Sequence, residues 1–336
     1  MKILRFLAVA ALGALSCSLS GFAHAAFGET PYVSFRPQAH AAALVANGRA
    51  APIWLDVSDF PGVIRAARDL QADIERVTGV RPELHTQGRP NGEVVLVAGT
   101  IGKSTLIDEL VAAGKLDVSD VRGKWESFVV QVLARPYPGV EQAVVVAGSD
   151  KRGTIYGLYD ISTQSGVSPW YWWADVPVVK RDALYVQAGR HVVGEPVVKY
   201  RGILLNDEAP ALSGWAHEKF GGFNHKFYAH VFELILRLRG NYLWPAMWGS
   251  AFNDDDPQNP VLADEYGIVM GTSHHEPLMR AHDEWRRYGK GEWNYATNAQ
   301  TLQEFWRTSV ERTKNFENIM TIGMRGDGDE AMSEET

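Results

Sequence analysis

Residues 197–208 read VVKYRGILLNDE, an apolar run that ends in Asn206, Asp207 and Glu208. The same form returns three times: GNYLWPAMWG (240–249) runs into Trp244 and Trp248, YGIVMGTSHHEP (266–277) into His274, His275 and Glu276, and NIMTIGMRGDGDE (318–330) into Arg325, Asp327, Asp329 and Glu330. Helical patterns lie between. Phe227, Val231, Leu234, Ile235 and Leu238 share one face closed by Gly240, and Leu302, Phe305, Trp306 and Val310 share another. Apolar strands alternating with helices predict parallel βα units. If each polar tip sits at a strand's carboxyl end, the tips gather on one rim, as in a βα barrel. Four such units are visible, and a closed barrel needs eight. NIMTIGM itself reads as a buried strand, which predicts that residues 325–330 emerge at the rim.

Upstream, residues 50–190 have another texture. IWLDVS (53–58), EVVLVAG (93–99), SFVVQVL (127–133) and AVVVAGS (143–149) are short β-branched runs bounded by Gly, Asn or Asp, which predict strands. Val63, Ala67, Leu70, Ile74 and Val77 recur at helical spacing, with Asp59 ahead of Pro61 as the expected cap and Gly79 as the stop. A mixed α/β domain follows. PWYWWADVP (169–177) closes it and reads as an interdomain plug in preference to a sugar platform.

The bulk numbers narrow the function. The chain has 336 residues, material for about two domains. A net charge of −7 removes the case for nucleic acid or an anionic membrane as partner. Eleven tryptophans exceed what ordinary packing requires and hint at flat, ring-shaped ligands. The amino terminus carries Lys2 and Arg5, an apolar stretch broken by Ser16, Cys17, Ser18 and Ser20, and the small-x-small pattern Ala23-His24-Ala25. It is read as a signal peptide spanning residues 1–25, with cleavage after Ala25 and export to a periplasm or the medium. A lipoprotein anchor on Cys17 is the alternative, disfavoured because Ala14-Leu15-Ser16 is a poor lipobox. Cys17 is the only cysteine, so the mature chain would hold no disulfide, thiolate nucleophile or cysteine zinc site.

Several motifs dissolve on inspection. VAGTIGKST (97–105) has Val97 where a phosphate loop needs glycine. Adjacent His274 and His275 on a strand would face opposite ways, and the H-E-x-x-H spacing is absent, so hydrogen bonding to substrate is preferred to metal binding. Asp327-Gly328-Asp329-Glu330 offers too few spaced oxygens for a calcium loop. FNDDDPQNP (252–260) reads as a solvent loop, with no chemistry placed on Asp254, Asp255 or Asp256. Neither a cofactor nor a metal is expected. What remains is a rim of carboxylates, two histidines, an arginine and tryptophans, an inventory suited to glycoside hydrolysis.

At these residues the chain resembles a known family. YRGILLNDEAPALSGWAHEKFGGFNHKFYAHVFELILRLRGNYLWPAMWGSAFNDDDP, YGIVMGTSHHEPLMRAHDEW and GMRGDGDEAM closely resemble glycoside hydrolase family 115, the xylan α-1,2-glucuronidases, and GSDKRGTIYGLYDISTQSGVSPWYWWADVP resembles the end of that family's N-terminal domain. The resemblance implies an N-terminal α/β domain over residues 26–195 and the first four βα units of a (β/α)8 TIM-type barrel over 196–336, an α/β architecture that stops short of a closed barrel. It implies removal of glucuronic acid or its 4-O-methyl ether from glucuronoxylan or aldouronic oligosaccharides, with inversion. Carried over, Asp329 is the general base and Asp207 a catalytic-network carboxylate. Arg325 and His275 bind the uronate, with His274 and Glu208 beside them, Trp248 over the pocket, and Asp160 reaching in from the N-terminal domain. The family's general-acid glutamate is expected on a later strand end, past residue 336. A homodimer of the full-length protein is left open. Two other readings stay open: a non-catalytic carbohydrate-binding chain, and a hexosaminidase using Asp329 and Glu330.

Overall fold

A computed structural model describes residues 30–326 and 330–332. The leader-like segment and Asp329 lie outside the described residues. Up to residue 193 the chain builds two sheets. β1 (Val33–Ser34), β2 (Ala42–Ala46) and β3 (Arg49–Ala50) join β9 (Leu184–Val186) in a small antiparallel sheet of order β1-β9-β2-β3. A six-stranded sheet has the order β10-β7-β8-β6-β4-β5, from β4 (Ile53–Trp54), β5 (Leu84–His85), β6 (Gly92–Thr100), β7 (Phe128–Ala134), β8 (Val140–Gly148) and β10 (Arg190–Val193). Its β5-β4-β6-β8 part is parallel, while β7 pairs antiparallel with both β8 and β10. The four runs read as strands are β4, β6, β7 and β8.

Alternation along the two central strands sorts the core. Leu96, Ala98, Val144 and Val146 point to one side, against α1 (Pro61–Thr78) and α3 (Lys151–Gln164). Val95, Val97, Val145 and Ala147 point to the other, against α2 (Thr105–Ala112). Helix α1 buries the predicted stripe, starts on Pro61, and ends where Gly79 turns left-handed at φ 76° and donates its N–H to Glu75 O. Asp59 does not cap it. Its buried carboxylate accepts from the Phe60 and Thr100 amides instead, tying the helix start to the end of β6.

From residue 202 a second architecture begins. β11 (Gly202–Leu204), β12 (Tyr242–Trp244) and β13 (Val269–Met270) form a parallel sheet in sequence order. Helices α4 (Leu212–Phe220), α5 (His225–Arg237), α6 (Phe252–Asp255) and α7 (Gln258–Tyr266) fill the connections, followed by α8 (His282–Tyr288) and α9 (Tyr295–Thr313). Among the described residues no helix is long and apolar enough to cross a membrane.

The fourth strand expected over 318–324 is reduced to one parallel bridge, Asn318 to Met270, with Ile319 N–H donating to Met270 O at 2.9 Å. Ile322 is 85% exposed, so NIMTIGM is not buried as expected. Ile203 and Leu204 of β11 are likewise exposed. Among the described residues these apolar faces have no second covering layer of the kind that makes a parallel strand fully buried. The expected solvent loop at 252–260 is also different. Arg287 bonds Asp254 and Asp255, at 2.9 and 2.6 Å, and His225 Nδ1 lies 2.6 Å from Asp256, so the acids pin α5, α6 and α8 together.

What fixes the second architecture on the first is an ion cluster at the strands' amino ends. The fully buried Glu126 lies 2.6 Å from both Arg152 and Arg201 and accepts from Asn241 Nδ2 at 2.7 Å. Arg152 goes on to Glu317 at 2.7 Å and Gly267 O at 3.0 Å. Arg201, Asn241, Gly267 and Glu317 each stand just ahead of one of the four apolar segments. Gly62, at the start of α1, sits so near α7 that a Cβ there would lie 2.1 Å from Glu265 O. The aromatic segment at 169–177 packs as a plug: Trp172 stacks on His230 at 3.8 Å, and Trp173 meets Trp215 and Phe227.

Removing one member of a buried ionic cluster strands the others. Glu126→Ala is expected to destabilise the chain by about 3–5 kcal/mol, measured by urea unfolding, and Glu126→Gln by less because its amide oxygen still accepts.

Candidate active site

Asp207 stands three residues past β11 and is 2% exposed. One carboxylate oxygen, Oδ2, accepts from the Met247 amide at 3.1 Å and the Trp248 amide at 2.9 Å. The tip after the first strand therefore holds the loop after the second. Burial raises the Asp207 pKa above the usual carboxylate value against the pull of these amides. Glu208, its exposed neighbour, adds a smaller upward push.

The loop after β13 brings the third tip alongside. His274 and His275 sit in a turn, not on a strand, so their rings lie side by side at 4.2 Å between centroids instead of pointing apart. His274 faces solvent, while His275 is buried and stands 6.4 Å from Trp248. Glu276 is 2% exposed, with Oε1 accepting from the His282 amide at 3.1 Å and Oε2 from the Ser273 amide at 3.4 Å. Burial pushes its carboxyl up to about 7, with the Asp207 charge a minor contributor. The buried Tyr228 hydroxyl accepts from the Ala246 amide at 3.2 Å, and its phenol is raised by burial first and then by Asp207, Asp255 and Glu276.

Between these loops lies a cavity of about 50 Å³ lined by Met247, Trp248, Gly249, His275, His282, Asp283 and Arg286. That is room for a water or two. At its mouth Trp248 is 53% exposed. His282, Asp283 and Arg286 escaped the sequence reading. They occupy the first turns of α8, and the signal was available: His282 and Arg286 are four apart on one helix face, immediately after a strand-end loop.

Two further expected residues stand on other segments. Arg325 is half-buried, and its carbonyl accepts from Trp293 Nε1 at 2.8 Å. Asp160 lies elsewhere. Its carboxylate meets Arg239 at 2.6 Å and the Tyr32 hydroxyl at 2.6 Å, and Arg239 precedes β12, so Asp160 belongs to the amino-end clamp opposite the rim. Among the described residues no three His, Cys, Asp or Glu side chains are arranged to hold a metal ion.

Parallel βα units with polar groups collected beyond the strands' carboxyl ends define an enzyme site of the βα-barrel class. Residues 193–336 match the sequence profile of glycosyl hydrolase family 115. The chain also superposes on a family GH115 4-O-methyl-α-glucuronidase, BtGH115A, described as specific for decorated arabinogalactans, with TM-score 0.76 and 34% identity. That alignment covers 87% of this chain and 37% of the other, so the chain spans well under half the length of its neighbour. The chain belongs to glycosyl hydrolase family 115. A Flavobacterium johnsoniae chitobiase matches at TM-score 0.47 and 12% identity, over 89% of this chain and 44% of that one, too loosely to bear on the site. A search of curated proteins found no match.

Glu276 makes stability depend on pH. Its carboxyl titrates at about 7 when folded, against 4.5 for an ordinary glutamate. Between those values the folded chain keeps a proton that the unfolded chain has released. This contribution is therefore fully present below about pH 4.5 and is lost as pH rises through 7. Urea unfolding of wild type and Glu276→Gln from pH 4.5 to 7.5 should show the wild type losing roughly 3 kcal/mol relative to the variant.

Proposed function

We propose that the chain is a glycoside hydrolase that removes α-1,2-linked glucuronic acid, or its 4-O-methyl ether, from glucuronoxylan with inversion. The observation that carries this is the rim itself, with Asp207, His275 and Trp248 brought together from three successive strand ends in a chain of this family. Trp248 offers an exposed indole face for the sugar. His275 and Arg325 bind the uronate, with His274 at the rim and Arg286 as a further cation beside the cavity. Asp207, buried and doubly hydrogen-bonded, orders the attacking water or a sugar hydroxyl. Asp329 acts as general base, a role that rests on the family resemblance. Inversion requires an acid and a base about 6.5–9.5 Å apart on opposite faces of the sugar. Such a polymer lies outside the cell, in keeping with a leader at residues 1–25, whose export role we also propose.

A second reading concerns the polymer. The structural neighbour's specificity for decorated arabinogalactans favours the same uronic acid carried on a galactan backbone.

Both are tested together. The chain from residue 26 is incubated with glucuronoxylan, with a glucuronic-acid-decorated arabinogalactan and with an aldouronic oligosaccharide, and the released uronic acid is followed by NMR at its anomeric proton. Early appearance of the β-anomer is expected. Asp329→Ala and Asp207→Ala should each lower kcat by about 100-fold or more. Full turnover by Asp329→Ala would remove it from the mechanism. Release of an aminosugar from chitobiose would move the chain to the hexosaminidases, and binding with no release, even by a chain that includes the later strand end where the general acid is expected, would make it a carbohydrate-binding chain.

A further inference from the structure

The loop from residue 271 to 282 carries His274 and His275 and has no regular secondary structure except one 3-10 turn at Pro277–Met279. Leu278 and Met279 adopt φ of 55° and 63°, a left-handed backbone that a branched or bulky side chain resists. Something must hold the loop in this form. Its outer side is fastened to the next segment, where Leu278 N–H donates to Thr321 O at 2.8 Å and the Thr321 hydroxyl donates to Thr272 O at 3.0 Å. On its inner side the Glu276 side chain fastens it. The two oxygens of Glu276 take the Ser273 amide at the loop's start and the His282 amide at its end, and Thr272 Oγ1 donates to the Glu276 carbonyl at 2.7 Å. The Ser273 hydroxyl in turn accepts from the His275 amide at 3.3 Å.

We propose that Glu276 is a positioning residue, whose carboxylate clasps both ends of this loop and so presents His275 to the substrate opposite Trp248. With both oxygens accepting from backbone amides, Glu276 is turned away from chemistry and acts only through the histidine. The groups facing it are the Asp207 carboxyl from the loop after β11, the Tyr228 phenol from α5, the His282 residue at the start of α8 and its own neighbour His275. A proton on Glu276 turns one oxygen into a donor, and one of the two amides then loses its acceptor. The longer bond, from Ser273 at 3.4 Å, is the one released. Ionised Glu276 therefore closes the clasp and protonated Glu276 loosens it at the end next to His275.

This deepens the glucuronidase reading and rests on it only for the choice of substrate. In the first experiment the Glu276 side-chain Cδ and the backbone amides of Ser273 and His282 are followed by NMR from pH 5 to 8.5 in the whole chain, with no substrate present. The Ser273 amide should shift with the same midpoint as Glu276 Cδ, and this titration should vanish in Glu276→Gln. Ser273 and His282 amides that stay still while Cδ titrates would overturn the clasp, a result the wild type gives even if the variant folds poorly. In the second experiment Glu276→Gln, Glu276→Ala and wild type are compared on an aldouronic oligosaccharide. KM should rise roughly 10-fold for Glu276→Ala with less change in kcat, and Glu276→Gln, which like the protonated acid keeps one acceptor, should match the wild type at low pH, fall short of it at high pH and show a flattened pH profile. Equal loss of kcat in both variants at constant KM would make Glu276 a catalytic residue and overturn the positioning role. Absence of uronic-acid release from a chain that includes the later strand end where the family's general acid is expected would sink the glucuronidase reading while leaving the NMR outcome to decide the clasp.

Discussion

Glu126 is the constraint on which the second half of the molecule depends. Its buried carboxylate binds Arg152, Arg201 and Asn241, and Arg152 extends the cluster to Gly267 and Glu317. A buried anion between two guanidinium groups is tolerable only with near-complete pairing, because each unpaired charge would carry its desolvation cost alone. The geometry demanded by that pairing sets the amino ends of four successive segments against one helix, α3. Strand direction then does the rest: with the amino ends pinned on the clamp, the carboxyl ends must open on the opposite side, which is where the polar tips lie.

The rim uses the same physics on a smaller scale. Asp207 and Glu276 are buried carboxyls that meet backbone amides in place of cations. Each holds a loop through backbone amides, Asp207 the one after β12 through Oδ2 and Glu276 its own through both oxygens. Burial keeps both pKa values up because amides stabilise the anion less than a guanidinium would. The amino end of the βα units is thus rich in fixed ion pairs, and the carboxyl end holds carboxyls whose burial raises their pKa. A site meant to move protons needs the second condition, and a foundation needs the first.

Much of this was legible along the chain, for local reasons. The stripe of α1, the left-handed Gly79 stop and the continuous apolar runs of β6 and β8 follow from periodicity and glycine freedom, which neighbours in space do not alter. The alternation of apolar run and polar tip pointed to Asp207, Glu208, Trp244, Trp248, His274, His275 and Glu276 alike, and the family resemblance chose among them. Where the reading failed, a distant partner had intervened. Asp59 left the helix it precedes in sequence because the Thr100 amide lay nearby in space. The acids of 254–256 looked solvated until Arg287 and His225 came to meet them. Asp160 looked like a site residue, and Arg239 drew it to the other end of the strands.

The sequence by itself determined the kind and order of most elements, and the family, because hydrophobic period, turn residues and long motifs are properties of neighbours along the chain. Tertiary structure alone decided which polar residues share a cavity and which share a clamp. His282, Asp283 and Arg286 became pocket residues only because the 271–282 loop folds back and sets α8 against the loop after β12. The side-by-side histidines arose from a turn that no alternation rule contains. A carboxylate's role follows from what surrounds it once water is excluded, and those surroundings come from residues tens of positions away.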